Sequence, residues 1–378
     1  MESVRNSNVG YIYDQRLTLH SEEPRHTFPE FPERVRSIHN NFESKGLLSH
    51  CRSLNITPAD PDFVKTIHQA SLIERLLDLK FEYDDTMNPV PRKKGVKYTM
   101  GRQLYDNEHT SDCIFLSCGG AIKAVDTVWK GQVSTCFANI RPPGHHASFS
   151  EIGGFCYVNN VAVAAKHALS LGARKVLIYD WDVHHGNGTQ DIFQNDPDVM
   201  YISVHRYDNA AFYPYLKKAG SDFCGTGEGR GRSFNIAWNT EETGKLSGIS
   251  DGDYKHAFDN LIMPIATQFN PDIVLVSAGF DAMKDDPVGN LSLSPAIYAY
   301  MTKQLQELAH GKLALILEGG YNLNTMMSAS EACMKALLGY EGPASGVGLR
   351  HYDPDTTELG REAVRATYDV AREYWDIQ

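Results

Sequence analysis

The segment Asp180-Trp181-Asp182-Val183-His184-His185-Gly186-Asn187-Gly188 leaves the end of an apolar run and enters a glycine-rich turn. Asp182 and His184 stand two apart, so an extended backbone points both the same way and offers one metal an oxygen and a nitrogen. A lone Asp-x-His pair is weak, because short motifs recur by chance. Asp281, in Ser277-Ala278-Gly279-Phe280-Asp281, offers a third ligand just past another apolar run, an N-cap or surface carboxylate being the plain alternative. Three protein ligands leave one or two positions for water and substrate, which is the arrangement of a catalytic centre. The Asp-His-Asp set is oxygen-rich, so zinc is expected, with ferrous iron or cobalt open. A second histidine pair ends Arg141-Pro142-Pro143-Gly144-His145-His146, where proline and glycine fix a tight loop that can aim two imidazoles into a cavity. Two such pairs, each after an apparent strand, favour catalysis over satisfied core histidines.

These groups need elements to hold them. Apolar, β-branched runs at Lys175 to Tyr179, Val199 to Val204, Ile273 to Val276 and Leu313 to Leu317 predict buried strands, and helical patterns lie at Val158 to Leu171, Tyr254 to Phe269, Pro295 to His310 and Thr325 to Leu338. Strands alternating with helices predict an α/β fold with a mostly parallel sheet covered on both faces. Ligands in such sheets bind beyond the carboxyl ends of the strands, where Asp180, His205, Asp281 and Glu318 are expected. The stretch Asp84 to His109, with Pro89, Pro91, the basic run Arg92 to Lys94, Gly95 and Gly101, reads as a long loop, either functional or a solvated excursion.

The 378 residues are compatible with one large α/β domain, read as a core over about 9–340 and a C-terminal helical extension over 356–378. Hydrophobic residues at 42% and charged residues at 22% supply a sizeable core and argue against disorder. Met1 to Asn8 is polar, no apolar run approaches the roughly 20 residues that span a bilayer, and no lipidation box closes the chain, so an intracellular protein, cytoplasmic or nuclear and not secreted, is expected off the membrane. Seven cysteines without a Cys-x-x-Cys pair read as reduced thiols. A formal charge of 36 minus 47, or −11, argues against direct nucleic-acid binding and suits a cationic, lysine-rich substrate.

Arg141 to His146, Gly153-Gly154-Phe155-Cys156-Tyr157, Asp180 to Gly188, Ser277 to Asp281 and Glu318-Gly319-Gly320-Tyr321-Asn322 resemble, in order and spacing, the signature segments of zinc-dependent histone deacetylases. Trp181 with Asn187, His205-Arg206-Tyr207 and Gly319-Gly320-Tyr321-Asn322 look like class II, particularly the catalytic domains of the cytoplasmic tubulin deacetylase. The resemblance implies an arginase-like three-layer fold and hydrolysis of acetyl-lysine in an acetylated protein or peptide, histone or non-histone, with the possibility of a multiprotein complex. It implies Asp182, His184 and Asp281 as zinc ligands, and His145 and His146 as the pair that hydrogen-bonds the attacking water, with His146 the general base and acid. Asp180 and Asn187 then orient His145 and His146 respectively, and Tyr321 donates its phenol to the developing oxyanion.

By the same resemblance Phe155 and Tyr213 line the acetyl-lysine tunnel, with Phe212 the alternative to Tyr213, where most members carry phenylalanine. The Gly154 carbonyl accepts the substrate amide hydrogen, Asp106 is the candidate that grips the substrate backbone, and Val288 guards the rim. A structural potassium ion is implied at Asp180, Asp182, His184, Ser203 and Val204, with a second site near Phe193, Asp196 and Val199. Arg34, in Phe31-Pro32-Glu33-Arg34, is implied in an internal acetate pocket. The rival readings are an acetylpolyamine or other small acyl-amide deacetylase, which would want an acidic residue where Val288 stands, an inactive acyl-lysine-binding scaffold, and a two-manganese ureohydrolase.

Overall fold

Runs that are apolar at every position have no polar face to offer water, and here they pair as a parallel sheet buried on both sides. The computed structural model describes residues 8–22, 28–79, 81–83, 89–91, 98–99, 104–240, 248–340 and 355–377. Its main sheet holds β1 (Val9–Ile12), β2 (Arg52–Ser53), β3 (Thr135–Ala138), β4 (Val176–Asp180), β5 (Val199–Arg206), β6 (Ser233–Trp238), β7 (Ile273–Ala278) and β8 (Leu313–Leu317). Their order is β6-β5-β4-β7-β8-β3-β1-β2, with every pairing parallel.

Successive side chains of a strand point to opposite faces, and the two cores follow that alternation. Leu177 and Tyr179 join Met200, Ile202, Val274 and Val276 on one face, whereas Val176 and Ile178 join Val199, Tyr201, Ile273 and Leu275 on the other. The first face is covered by α1 (Glu33–Ser44) through Val35, Ile38 and Phe42, and by two later helices described below. The second is covered by α2 (Thr110–Trp129) and α3 (Asn160–Ser170). A short α4 (Asn187–Phe193) follows the turn after β4.

Helix starts carry the expected caps. Asn159 accepts the Ala162 amide at 3.0 Å to begin α3, and Ser294, followed by Pro295, caps the helix Pro295–Leu305, α5. Asn322 caps α6 (Leu323–Leu337), and α5 and α6 together pack on the first face. The last helix, α7 (Glu358–Ala371), lies along the edge strand β6, where the Thr367 hydroxyl donates to the Asn235 carbonyl at 2.7 Å.

The expected strands and helices are present with four differences, two of them being that the helix from Pro295 stops at Leu305, short of His310, and that Asp180 is the last residue of β4 and does not follow it. The pattern Tyr254 to Phe269 is two helices, Asp251–Ala257 and Met263–Phe269, joined by the π-helical turn Phe258–Ile262. His205 lies inside β5 and not beyond its end. Phe81–Tyr83, just before the stretch read as a loop, pairs with Pro89–Pro91 in it, and within the stretch Tyr98–Thr99 pairs with Tyr105–Asp106, both antiparallel. Arg92 to Lys94, Gly95 and Gly101 lie outside the described residues. All seven cysteines are free thiols. No helix among the described residues is long and apolar enough to cross a membrane.

Candidate active site

Four strand ends deliver the polar groups to one edge of the sheet. β4 ends at Asp180, and the chain beyond it carries Asp182 and His184; β7 leads to Asp281, β8 to Glu318, and β3 to the loop bearing His145 and His146. Asp182, His184 and Asp281 are fully buried, or nearly so for His184, and one ligand atom from each lies within 4.8 Å of the others. The His184 imidazole Nδ1 is 3.0 Å from Asp182 Oδ1 and 3.1 Å from Asp281 Oδ2. Their outer oxygens accept backbone amides, Val183 at Asp281 Oδ1 and Gly319 at Asp182 Oδ2, both at 2.8 Å. A Cβ on Gly319 would meet Asp281 Oδ2 at 2.3 Å and Asp182 Oδ2 at 2.5 Å, so only glycine lets the turn after β8 approach this cluster.

The electrostatics fit a cation at the three residues. Burial, then the nearby Asp182 carboxylate, pushes Asp281 up to about 7. Burial works against charge on Asp182 as well, but His145 and His184 hold its carboxyl well below the usual range. Buried carboxylates this close are stabilised by a metal, and two carboxylates with one imidazole are a borderline-hard set that suits zinc.

The two histidines beside the cluster differ in environment. His145 Nδ1 is 3.0 Å from Asp180 Oδ2, which also accepts the Tyr201 hydroxyl at 2.9 Å. Burial opposes charge on His145, yet Asp182, Asp180 and Glu318 raise it to about 10; a dication at the carboxylates would offset that pull. His146 Nδ1 is 2.8 Å from Asn187 Oδ1. Burial, then the charges of His145 and His184, depress its pKa well below 6.5. The rings of His145 and His146 lie 4.0 Å apart, and His146 is 5.7 Å from His184.

A cleft of about 360 Å³ opens over these groups. Gly154, Phe155, Phe212, Tyr213, Val288 and Tyr321 line it together with His146 and His184. Phe212 stacks on His184 at 5.2 Å, and Tyr213 meets His146 edge-on at 4.8 Å, so both aromatic candidates belong to the wall. Burial, then Asp281, raises the Tyr321 phenol well above 10 and keeps it a donor. Ser203 is buried in register with Asp180, its hydroxyl 2.8 Å from His205 Nδ1, and Val204 follows it in β5. Asp106 is buried and lies outside the cleft lining.

Arg34, fully buried, lies under the site. Its Nε donates to the Gly320 carbonyl at 2.6 Å, a second nitrogen donates to the Glu318 carbonyl, and its guanidinium carbon is 5.1 Å from the centre of the Tyr321 ring. Arg34 also donates to Glu30 at 3.0 Å, and Glu30 accepts two bonds from Arg141, each 2.7 Å.

Several contributors had escaped the sequence. Phe28, Pro29 and Tyr215 line the cleft; the repeat of Phe-Pro-Glu at 28–30 and 31–33 was a signal for the first two. Glu318, which the sequence did place beyond a strand end, has a bracing role that spacing did not show: its carboxylate accepts the Gly144 amide at 2.7 Å and the His145 amide at 3.2 Å, which fixes the histidine loop. Asp286 accepts the amides of Tyr321 and Val288, both at 2.8 Å, and so ties the phenol to the rim.

Glu30 supplies a stability prediction. Burial alone would raise its pKa, but Arg141 and Arg34 hold it at about 2 against the ordinary 4.5. A depressed carboxylate stabilises the fold above its unfolded value, and that stabilisation is lost as pH falls through the folded value. Glu30→Gln leaves two buried guanidiniums short of their counter-charge, an expected loss of about 3–5 kcal/mol. Urea unfolding at pH 7 measures it; the wild-type advantage should shrink as pH falls from 4.5 towards 2.

The histone deacetylase domain family model matches residues 28–337. Histone deacetylase clr3 of Schizosaccharomyces pombe is 40% identical over 341 residues, covering 87% of this chain and 48% of that protein. Histone deacetylase 5 of Arabidopsis thaliana is 37% identical over 338 residues, covering 88% and 49%. The chain spans about half the length of these curated relatives. Among solved structures, the crystal structure of the HDA15 HD domain superposes with a TM-score of 0.86 at 33% identity, covering 98% of this chain and 96% of that one.

Proposed function

Because the chain belongs to the zinc-dependent histone deacetylase family, with a class II-type pattern, we propose that it hydrolyses the acetyl amide of acetyl-lysine in protein substrates. The observation that carries this reading is the buried Asp182–His184–Asp281 cluster at the floor of an aromatic-walled cleft beside His146 and Tyr321.

Asp182, His184 and Asp281 would hold the zinc ion, whose Lewis acidity polarises an acetyl carbonyl and lowers the pKa of water toward about 7. Phe155, Phe212 and Tyr213 hold the lysine methylenes along the cleft wall. The Gly154 carbonyl accepts a hydrogen bond from the substrate amide N–H. His146, neutral and fixed in tautomer by Asn187, removes the proton from the attacking water and returns it to the leaving amine. His145, oriented by Asp180, donates to the same water, and the Tyr321 hydroxyl donates to the oxygen that gains charge. Lysine and acetate leave, with Arg34 bordering the acetate pocket. The role of Asp106 at the substrate backbone rests on the family resemblance alone, since its side chain is buried outside the cleft lining.

A potassium ion at Asp180, Asp182, His184, Ser203 and Val204 would brace the strand ends, a reading supported by the adjacent register of Asp180 and Ser203. We take 1–378 as one catalytic unit with an extension over 356–378, acting on acetylated proteins inside the cell, in nucleus or cytoplasm, alone or within a complex.

The test compares kcat/KM for acetyl-lysine peptides and for acetylspermidine. Val288 lines the cleft and offers a second ammonium no charge, so wild-type protein should prefer the peptide. Val288→Glu should improve acetylspermidine several-fold, since a partly exposed ion pair is worth about 1 kcal/mol or less. Wild-type preference for acetylspermidine would overturn the protein-deacetylase reading, and an unchanged ratio in the variant would remove Val288 from the entrance.

A further inference from the structure

A second cavity, of about 330 Å³, opens beside the first and shares His146, Tyr213 and Tyr215 with it. The ridge between them is the segment 213–216. Tyr215 stands on that ridge 64% exposed, on a left-handed backbone of φ 64°. The second cavity is walled by Ile152, Pro214 and Leu216, with the exposed residue Glu151 among those that line it.

The ridge is fixed from below. Just past it, three successive carbonyls are gripped by fully buried side chains: Gln190 donates to Lys218 O at 2.9 Å, and Asn235 donates to Lys218 O at 3.2 Å and to Gly220 O at 3.3 Å. His205 Nε2 lies 2.9 Å from Ala219 O. Gln190 and Asn235 also bond each other at 2.8 Å, and β6, which carries Asn235, is backed by Thr367 of α7. A loop anchored in this way presents a formed wall to a ligand, and affinity is not spent on ordering it.

We propose that this second cavity is a subsite for a basic side chain, arginine or lysine, that flanks the acetyl-lysine of the substrate. The inference rests on the deacetylase reading. A chain whose acetyl-lysine fills the first cavity crosses Tyr215, and a neighbouring side chain drops on its far side. Ile152, Pro214 and Leu216 suit the methylene stem of such a residue, which keeps its charged head near water. The Glu151 carboxylate and the face of Tyr215 both attract a cation. The formal charge of −11 favours the same class of partner.

The experiment uses the zinc-loaded chain and acetyl-lysine peptides in which arginine, glycine or aspartate is placed in turn at the two positions on either side. Both kcat/KM and Kd are measured. At one of these positions arginine should exceed glycine by about three- to fivefold, the worth of a partly exposed ion pair. That ratio should fall to about one in Glu151→Gln, and aspartate should replace arginine as the preferred residue in Glu151→Arg. Equal values for all peptides, a best peptide with an uncharged flank, or a preference indifferent to position 151 overturns the subsite while leaving the deacetylase reading intact. Failure to cleave any peptide, with the arginine preference still present in Kd, sinks the deacetylase reading and leaves the subsite.

Discussion

Asp182→Ala should remove the bound zinc and the deacetylase activity together. Asp182 is fully buried, its two oxygens are 3.0 Å from His184 and 2.8 Å from the Gly319 amide, and it supplies one of only three ligands in the cluster. With Asp182 gone, one carboxylate and one imidazole remain, too few for a catalytic centre that keeps a position open for water. The loss has a second origin, since Asp182 is the largest influence raising His145 against burial. Elemental analysis of the purified variant gives the decisive number. Stoichiometric zinc retained on the variant would show that the ligands lie elsewhere. Asn187→Ala is a useful companion, because it disturbs only the partner of His146 and should keep the zinc.

Tyr321→Phe should keep zinc and fold while costing roughly 10²-fold or more in turnover, the usual loss for one oxyanion donor. Backbone and ring are both held: Asp286 accepts the Tyr321 amide, Phe155 packs edge-on against the ring at 5.7 Å, and Arg34 lies over its face. Phenylalanine keeps each of those contacts and deletes the hydroxyl alone. Single-turnover rates on an acetyl-lysine peptide report the loss, and near-normal rates would remove Tyr321 from the chemistry. A trifluoroacetyl-lysine peptide, whose carbonyl is already activated, should lose less than the acetyl peptide. The ratio of the two losses then separates a missing donor from a misplaced substrate.

The reactive core of the site was legible because its residues sit at short spacings next to strand ends. Asp182 and His184 stand two apart just past a strand end, a spacing that singled them out although the backbone bends there, and Arg141 to His146 carries its own turn signals. The parallel sheet was legible for a related reason: strands buried on both faces must be apolar throughout, as 176–179 and 313–317 are. Family resemblance then supplied roles that spacing cannot, notably the division of labour between His145 and His146.

What the tertiary structure decided depends on approaches between distant parts of the chain. The helix Thr110–Trp129 escaped the periodicity because Gly119 and Gly120 interrupt it, and a Cβ at Gly119 would meet the Thr57 carbonyl at 1.8 Å. Glycine there serves a contact across the fold, invisible from local sequence. Arg34 and Glu30 lie far along the chain from Arg141 and Gly320, yet they form one buried ion network under the site. No local pattern separates a buried arginine from an exposed one, because the charge is tolerated only where the partners converge. The same holds for His205, which sequence placed at a strand end and whose ring is instead buried between Ser203 and the Ala219 carbonyl. Spacing along the chain therefore pointed to the candidate pair Asp182 and His184 and to the sheet, while long-range packing brought Asp281 to them and determined which polar groups brace them and how the cleft wall is held. The physical reason is that side-chain direction repeats with the backbone period, whereas desolvation and charge pairing depend on neighbours that only folding brings together.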